Sequence, residues 1–102
     1  MSLYTKGGLP LILTGAASTS FVWWTWAQGP SNWIYFQNMD PLIPMTIAFS
    51  EADADAGKGI VIPPGLGTPG NPLSMPIEAR GFYLKSASGT PTFNALITVR
   101  RG

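Results

Sequence analysis

Residues 81–100 read G-F-Y-L-K-S-A-S-G-T-P-T-F-N-A-L-I-T-V-R, and the alternation in this stretch decides the fold. Side chains two apart in an extended chain share one face of a sheet. Phe82 and Leu84 therefore point one way while Tyr83 and Lys85 point the other. Phe93, Ala95, Ile97 and Val99 oppose Thr92, Asn94, Thr98 and Arg100, with Leu96 the one apolar exception. Between the two runs, A-S-G-T-P has the residue types of a turn.

The same grammar recurs outward from this stretch. Twelve Gly and ten Pro in 102 residues separate apolar runs that are too short, and too rich in β-branched and aromatic residues, to be helices. Strands are predicted over 9–14, 20–27, 33–37, 42–50, 59–62, 73–78, 81–86 and 92–100. Ile43, Met45, Ile47 and Phe49 share a face opposite Pro44, Thr46, Ala48 and Ser50, a second core stripe. About eight short strands suit a single-domain antiparallel β-sandwich, jelly-roll-like and all-β, spanning residues 1–102. An extended N-terminal arm over Met1 to Pro10 and a Pro/Gly-rich loop at 62–72, I-P-P-G-L-G-T-P-G-N-P, held extended by its prolines, complete the expectation. Pro10, Pro44 and Pro76 place their segments at edges or bulges, because proline donates nothing to a ladder.

Composition limits the chemistry. With no His and no Cys the chain has no imidazole base, no thiolate nucleophile, no disulfide and no zinc site of the usual ligands. A Ser or Thr nucleophile would have only Lys6, Lys58 or Lys85 as its base, and no Ser-x-x-Lys setting exists. The expectation is a protein that is not an enzyme and holds no cofactor or metal. S-E-A-D-A-D-A-G at 50–57 spaces its acids like the start of a calcium loop, but the glycine comes one residue late. The twelfth position from Glu51 is Ile62, so the stretch reads as a solvated acidic turn. A net charge of +1 from scattered basic residues argues against nucleic acid. No apolar run approaches the length of a membrane span, and Pro10 and Gly15 interrupt the leader-like run after Lys6.

Only 11% of residues are charged, against about 25% in ordinary domains, while 45% are apolar. A chain of this size buries about 60–70% of its unfolded surface, so another chain is expected to cover part of the remainder. F-V-W-W-T-W at 21–26 carries apolar side chains on both faces: Phe21 and Trp23 beside Thr25, and Val22, Trp24 and Trp26 opposite. Three readings follow. The strand is buried within one chain; or Phe21 and Trp23 fill the core while Val22, Trp24 and Trp26 meet a neighbouring subunit, with Trp33 and Tyr35 as further interface residues. In the third, Trp24, Trp26, Trp33 or Tyr35 stacks on a saccharide whose hydroxyls Gln28, Asn32, Gln37 and Asn38 hold, as in a lectin-like module. The scarcity of charge favours the subunit reading, a homo-oligomer.

Two further stretches, S-E-A-D-A-D-A-G-K-G-I-V-I-P-P-G at 50–65 and R-G-F-Y-L-K-S-A-S-G-T-P-T-F-N-A-L-I at 80–97, resemble the C-terminal half of small tailed-bacteriophage virion proteins. The motifs are turns and strands, and they carry no catalytic residue over. The resemblance implies a β-sandwich completed by a final hairpin. It further implies a capsid decoration or cement subunit, with a trimer favoured, assembled in the host cytoplasm onto major capsid or other virion proteins. A neck or tail-fibre component is the related alternative.

Overall fold

The computed structural model describes residues 8–100, with side chains over 10–99. Strands β1 (Gly8–Ala16), β2 (Val22–Thr25), β3 (Ser31–Asn38) and β4 (Met45–Ala48) are followed by a short helix, α1 (Glu51–Asp55). Strands β5 (Ile60–Ile62), β6 (Leu73–Met75), β7 (Gly81–Ser86) and β8 (Thr92–Arg100) complete the chain order. Antiparallel pairing joins β1 to β8, β2 to β7, β3 to β6 and β4 to β5. Those are the pairs of one long hairpin with α1 at its tip. Two further pairings, β3 with β8 and β4 with β7, roll that ribbon into sheets ordered β1-β8-β3-β6 and β2-β7-β4-β5. The result is an eight-stranded jelly roll.

The alternation read from the sequence places the core. Met45, Ile47, Phe82, Leu84, Phe93, Ala95, Ile97 and Val99 are buried, joined by Ile34, Phe36, Ile62 and Met75. Phe36 lies parallel to Phe93 at 5.1 Å, and both meet Phe82 of the opposite sheet edge-on at 5.7 and 6.2 Å. Each such pair contributes about 0.5–1.5 kcal/mol beyond its buried area, so this trio ties the sheets together near the middle of the sandwich.

Three expectations are corrected. The acidic stretch is a helical turn: Ser50 Oγ accepts from Asp53 N at 3.1 Å, Glu51 and Asp53 sit in the first turn, and Gly57 leaves the helix at φ 71°. The final hairpin does not form. Both edges of β7 are taken by β2 and β4 and both edges of β8 by β1 and β3, so the connection between them crosses from one sheet to the other. The loop at 62–72 is also not extended. Gly65, Gly67 and Gly70, at φ 83°, 87° and 89°, let it fold through successive turns closed by Thr68 N to Gly65 O and Asn71 N to Thr68 O. Of the expected N-terminal arm, residues 1–7 lie outside the described residues, and Gly8 to Pro10 belong to β1.

Where the two-ply ribbon passes from one sheet to the other, its halves stay clasped. At the first crossing Ala17 N donates to Pro91 O at 2.8 Å and Ser86 N to Ser18 O at 2.7 Å. At the second, buried Ser31 Oγ donates to Ile77 O at 2.7 Å and accepts from Ala79 N at 3.1 Å, while its own N–H meets Ala79 O. At the third, the Asn71 side chain pairs with the Asn38 backbone, accepting from Asn38 N at 2.9 Å and donating to Asn38 O at 2.8 Å. Asn38 in turn donates through Nδ2 to Ile43 O and accepts at Oδ1 from Asp40 N. Both asparagines are fully buried.

Asn71→Ala leaves a buried N–H and a buried C=O of Asn38 without partners, at about 1–3 kcal/mol each. Denaturant melts are expected to show a loss of about 2–4 kcal/mol with the far-UV spectrum retained. A loss below about 0.5 kcal/mol would mean that the clasp is not what holds the third crossing.

Candidate functional site

Charge avoids the flanks of the sandwich. Asp40, Glu51, Asp53, Asp55, Lys58, Glu78 and Arg80 all lie in connections or in α1, and among the described side chains Lys85 alone is a charge on a strand. Among the described side chains the two outward sheet faces are therefore neutral but for Lys85 on β7.

Register sets out the first flank, on the β1-β8-β3-β6 sheet, in rows. Ile12, Leu96, Tyr35 and Ser74 form the middle row. Pro10, Thr98 and Trp33 stand on one side of it, and Thr14, Asn94 and Gln37 on the other. Ile12 is 70% exposed and Trp33 45% exposed. The Trp33 indole is not free to swing, because Nε1 donates to Ser74 Oγ at 2.8 Å. A shallow groove of about 400 Å³ runs between Ile12 and Tyr35 over Leu96, with Thr14, Asn94 and Gln37 along its side.

On the second flank, the β2-β7-β4-β5 sheet, Trp23 lies over Tyr83 with ring centroids 4.7 Å apart and is 45% exposed. Lys85 Nζ sits 5.0 Å above the Phe21 ring beside it. Strand β2 is the edge of this sheet, so Trp23 and the exposed Val22 lie at an open margin. At the opposite margin Val61 on β5 is 62% exposed.

The five candidate interface residues are thus divided. Trp33 and Tyr35 come together on the first flank. The faces of 21–26 are inverted relative to expectation: Trp24 and Trp26 pack inward and Trp23 outward. Two apolar faces on one strand leave the choice to its partner, and register opposes Trp24 to Phe82 and Val22 to Leu84, both core residues of β7. Trp24 meets Phe93 edge-on at 5.0 Å, and Trp26 lies 6.2 Å from Phe82 with Nε1 donating to Gly29 O at 2.7 Å. Val22 shares the inward register yet is 42% exposed because β2 is an edge. Glycines accommodate both rings. A Cβ on Gly15 would strike the Trp24 ring, and one on Gly81 would lie 2.6 Å from Trp23 Cζ2.

Of the amides considered for a saccharide, only Gln37 lines the groove. Asn38 is the buried clasp, Asn32 accepts from Thr98 Oγ1 at a bulge in β3, and Gln28 lies in the β2–β3 connection. Ile12, Asn94 and Leu96 went unforeseen. The signal for Leu96 was its break in the alternation of β8; the consecutive apolar residues Leu11, Ile12 and Leu13 gave none for Ile12. These flanks supply apolar area, aromatic faces and hydrogen-bonding groups. No protein-family model, no curated protein and no solved structure matches the chain.

The inversion is measurable. Trp24→Ser removes a ring from the core margin and is expected to cost about 2–4 kcal/mol in a denaturant melt. Trp23→Ser gives up mainly its contact with Tyr83, about 1 kcal/mol. Equal losses would show that both faces of β2 are interior.

Proposed function

We propose that the protein is a non-enzymatic structural subunit, and that its working state is a small homo-oligomer within a larger assembly. The observation that carries this reading is the apolar surface of the second flank: Trp23 and Val61 stand exposed on the β2-β7-β4-β5 sheet, with Val22 at its margin and Lys85 as its one described charge. A solitary soluble domain keeps such faces polar, whereas a subunit covered by neighbours has no need to.

The contact between copies is assigned to the second flank, at the β2 margin. An edge strand with exposed apolar side chains and unpaired backbone groups is a template for another chain, and Trp is the residue type most often found as an anchor of such contacts. Trp23, supported by Tyr83, is that anchor, with Val22 beside it. About 800 Å² per partner suffices for a specific contact, and repetition across a lattice multiplies a modest affinity.

The particular assembly proposed is a tailed-phage particle, with the protein as a capsid decoration or cement subunit, a trimer, seated on the major capsid protein. The support is the resemblance of residues 50–65 and 80–97 to small phage virion proteins, together with a strand order that recurs in viral capsid domains. That order also recurs in lectins, so topology alone does not select the role.

Light scattering on the eluting protein is expected to give a multiple of the 10.9 kDa chain mass, and Trp23→Ser is expected to shift it toward monomer while the fold persists. A strictly monomeric protein at about 100 µM would overturn the oligomer. In purified particles of a phage encoding the chain, quantitative mass spectrometry should find it in fixed ratio to the major capsid protein; its absence would remove the virion assignment.

A further inference from the structure

The groove on the first flank combines features that a subunit contact does not require. Its middle row is apolar, with Leu96 between Ile12 and Tyr35, while the neighbouring row is wholly polar, Thr14, Asn94 and Gln37. These rows cross three strands, a width of about 10 Å. Gln37's carboxamide makes no hydrogen bond to another described residue, and Asn94 Nδ2 has only Met39 Sδ at 3.5 Å. Each of these amides can take a hydrogen bond from whatever covers the groove, and the hydroxyls around a sugar ring both donate and accept. Strands β1, β3, β6 and β8 carry no charged residue over 10–16, 31–38, 73–75 and 92–99. Among the described side chains, a phosphate or carboxylate in the groove would find no counter-charge; Arg100, the charged residue of β8, ends that strand four residues beyond Leu96.

We infer that this groove binds a neutral oligosaccharide, with one sugar ring against Tyr35 and the next toward Trp33. A pyranose has C–H groups on its ring face and hydroxyls around its rim. The aromatic and aliphatic floor takes the face, and the row of Thr14, Asn94 and Gln37 takes the rim. At about 400 Å³ the groove lies within the usual range for small-ligand sites. Trp33 stands two residues along β3 from Tyr35, about 7 Å away, and its bond to Ser74 already fixes the indole with nearly half its surface open. A ring fixed beforehand loses no freedom on binding, and its position extends the platform to a second sugar. This inference is independent of the contact between copies, which is assigned to the opposite flank.

The test is a residue-resolved NMR titration of the full chain with maltotriose, cellotriose, chitotriose and lactose, and with sialyllactose as the charged comparison. At least one neutral sugar is expected to shift the Gln37 and Asn94 carboxamide and Trp33 indole signals saturably, with a Kd near or below about 1 mM. Tyr35→Ala and Gln37→Ala are each expected to weaken it at least about 10-fold with the melting temperature held. Should Tyr35→Ala not fold, Tyr35→Leu keeps the apolar area and removes the aromatic face, with the same loss expected. No shift at these residues with any neutral sugar overturns the inference, as does binding indifferent to Tyr35 and Gln37, or tighter binding of sialyllactose than of lactose. A fall in oligomer mass on Tyr35→Ala also overturns it, because the flank is then a subunit contact.

Discussion

The fold depends on keeping a two-ply ribbon paired while it turns corners. Ladder hydrogen bonds satisfy the backbone along a strand, but the ladder stops wherever both plies leave one sheet for the other. Each crossing here replaces the lost ladder with a clasp between the same two plies. The first uses backbone alone, through Ala17 and Pro91 and through Ser18 and Ser86; the second adds the Ser31 hydroxyl; the third uses the Asn71 carboxamide as a substitute peptide group for Asn38. An asparagine suits that place because its side chain holds an N–H and a C=O in one plane, as a peptide does. With the crossings held, the register of β3 follows, and with it the outward direction of Trp33, Tyr35 and Gln37.

The fold was legible where a strand has one apolar face. Residues 81–86 and 92–100 alternate, and the strands found there have the bounds read from the sequence. Strand 42–50 contracted to Met45–Ala48 because Asp40 Oδ1 draws Leu42 N and Ile43 N into a turn and Ser50 caps α1. The candidate site was legible only in part. Trp33 and Tyr35 sit on a strand whose other face, Ile34 and Phe36, is plainly core, so their outward direction follows from period two. In 21–26 period two allows both solutions. Residues sixty positions away, Phe82 and Leu84, decide between them by pairing. A sequence read locally does not contain that choice.

The two flanks share a scarcity of charge, with Lys85 the one charged side chain described on them, but not a chemistry. At the β2 margin an aromatic pair stands at an open sheet edge, where unpaired backbone groups and a large apolar ring coincide. On the other sheet the aromatics stand over its interior strand β3, with β8 beside it and a row of amides on the same face, so no open backbone is offered there. The first arrangement favours a partner that brings backbone of its own; the second favours one that brings hydroxyl groups. The proposed contact between copies and the proposed sugar groove do not exclude each other, because the sheets lie on opposite sides of the core.

The order of strands also explains why a chain with so little charge needs its whole length before it is safe in water. Strand β8 lies between β1 and β3, so the first sheet is split until the last strand arrives. Strand β7 likewise divides β2 from β4. Until residues 81–100 are in place, the apolar runs 9–13 and 21–26 have no partners, and closing pairs from opposite ends of the chain is slow. The alternating stretch that reveals the fold is therefore also the one that completes it: its inward residues fill the core, and its two backbones supply the central strands on which both flanks are built.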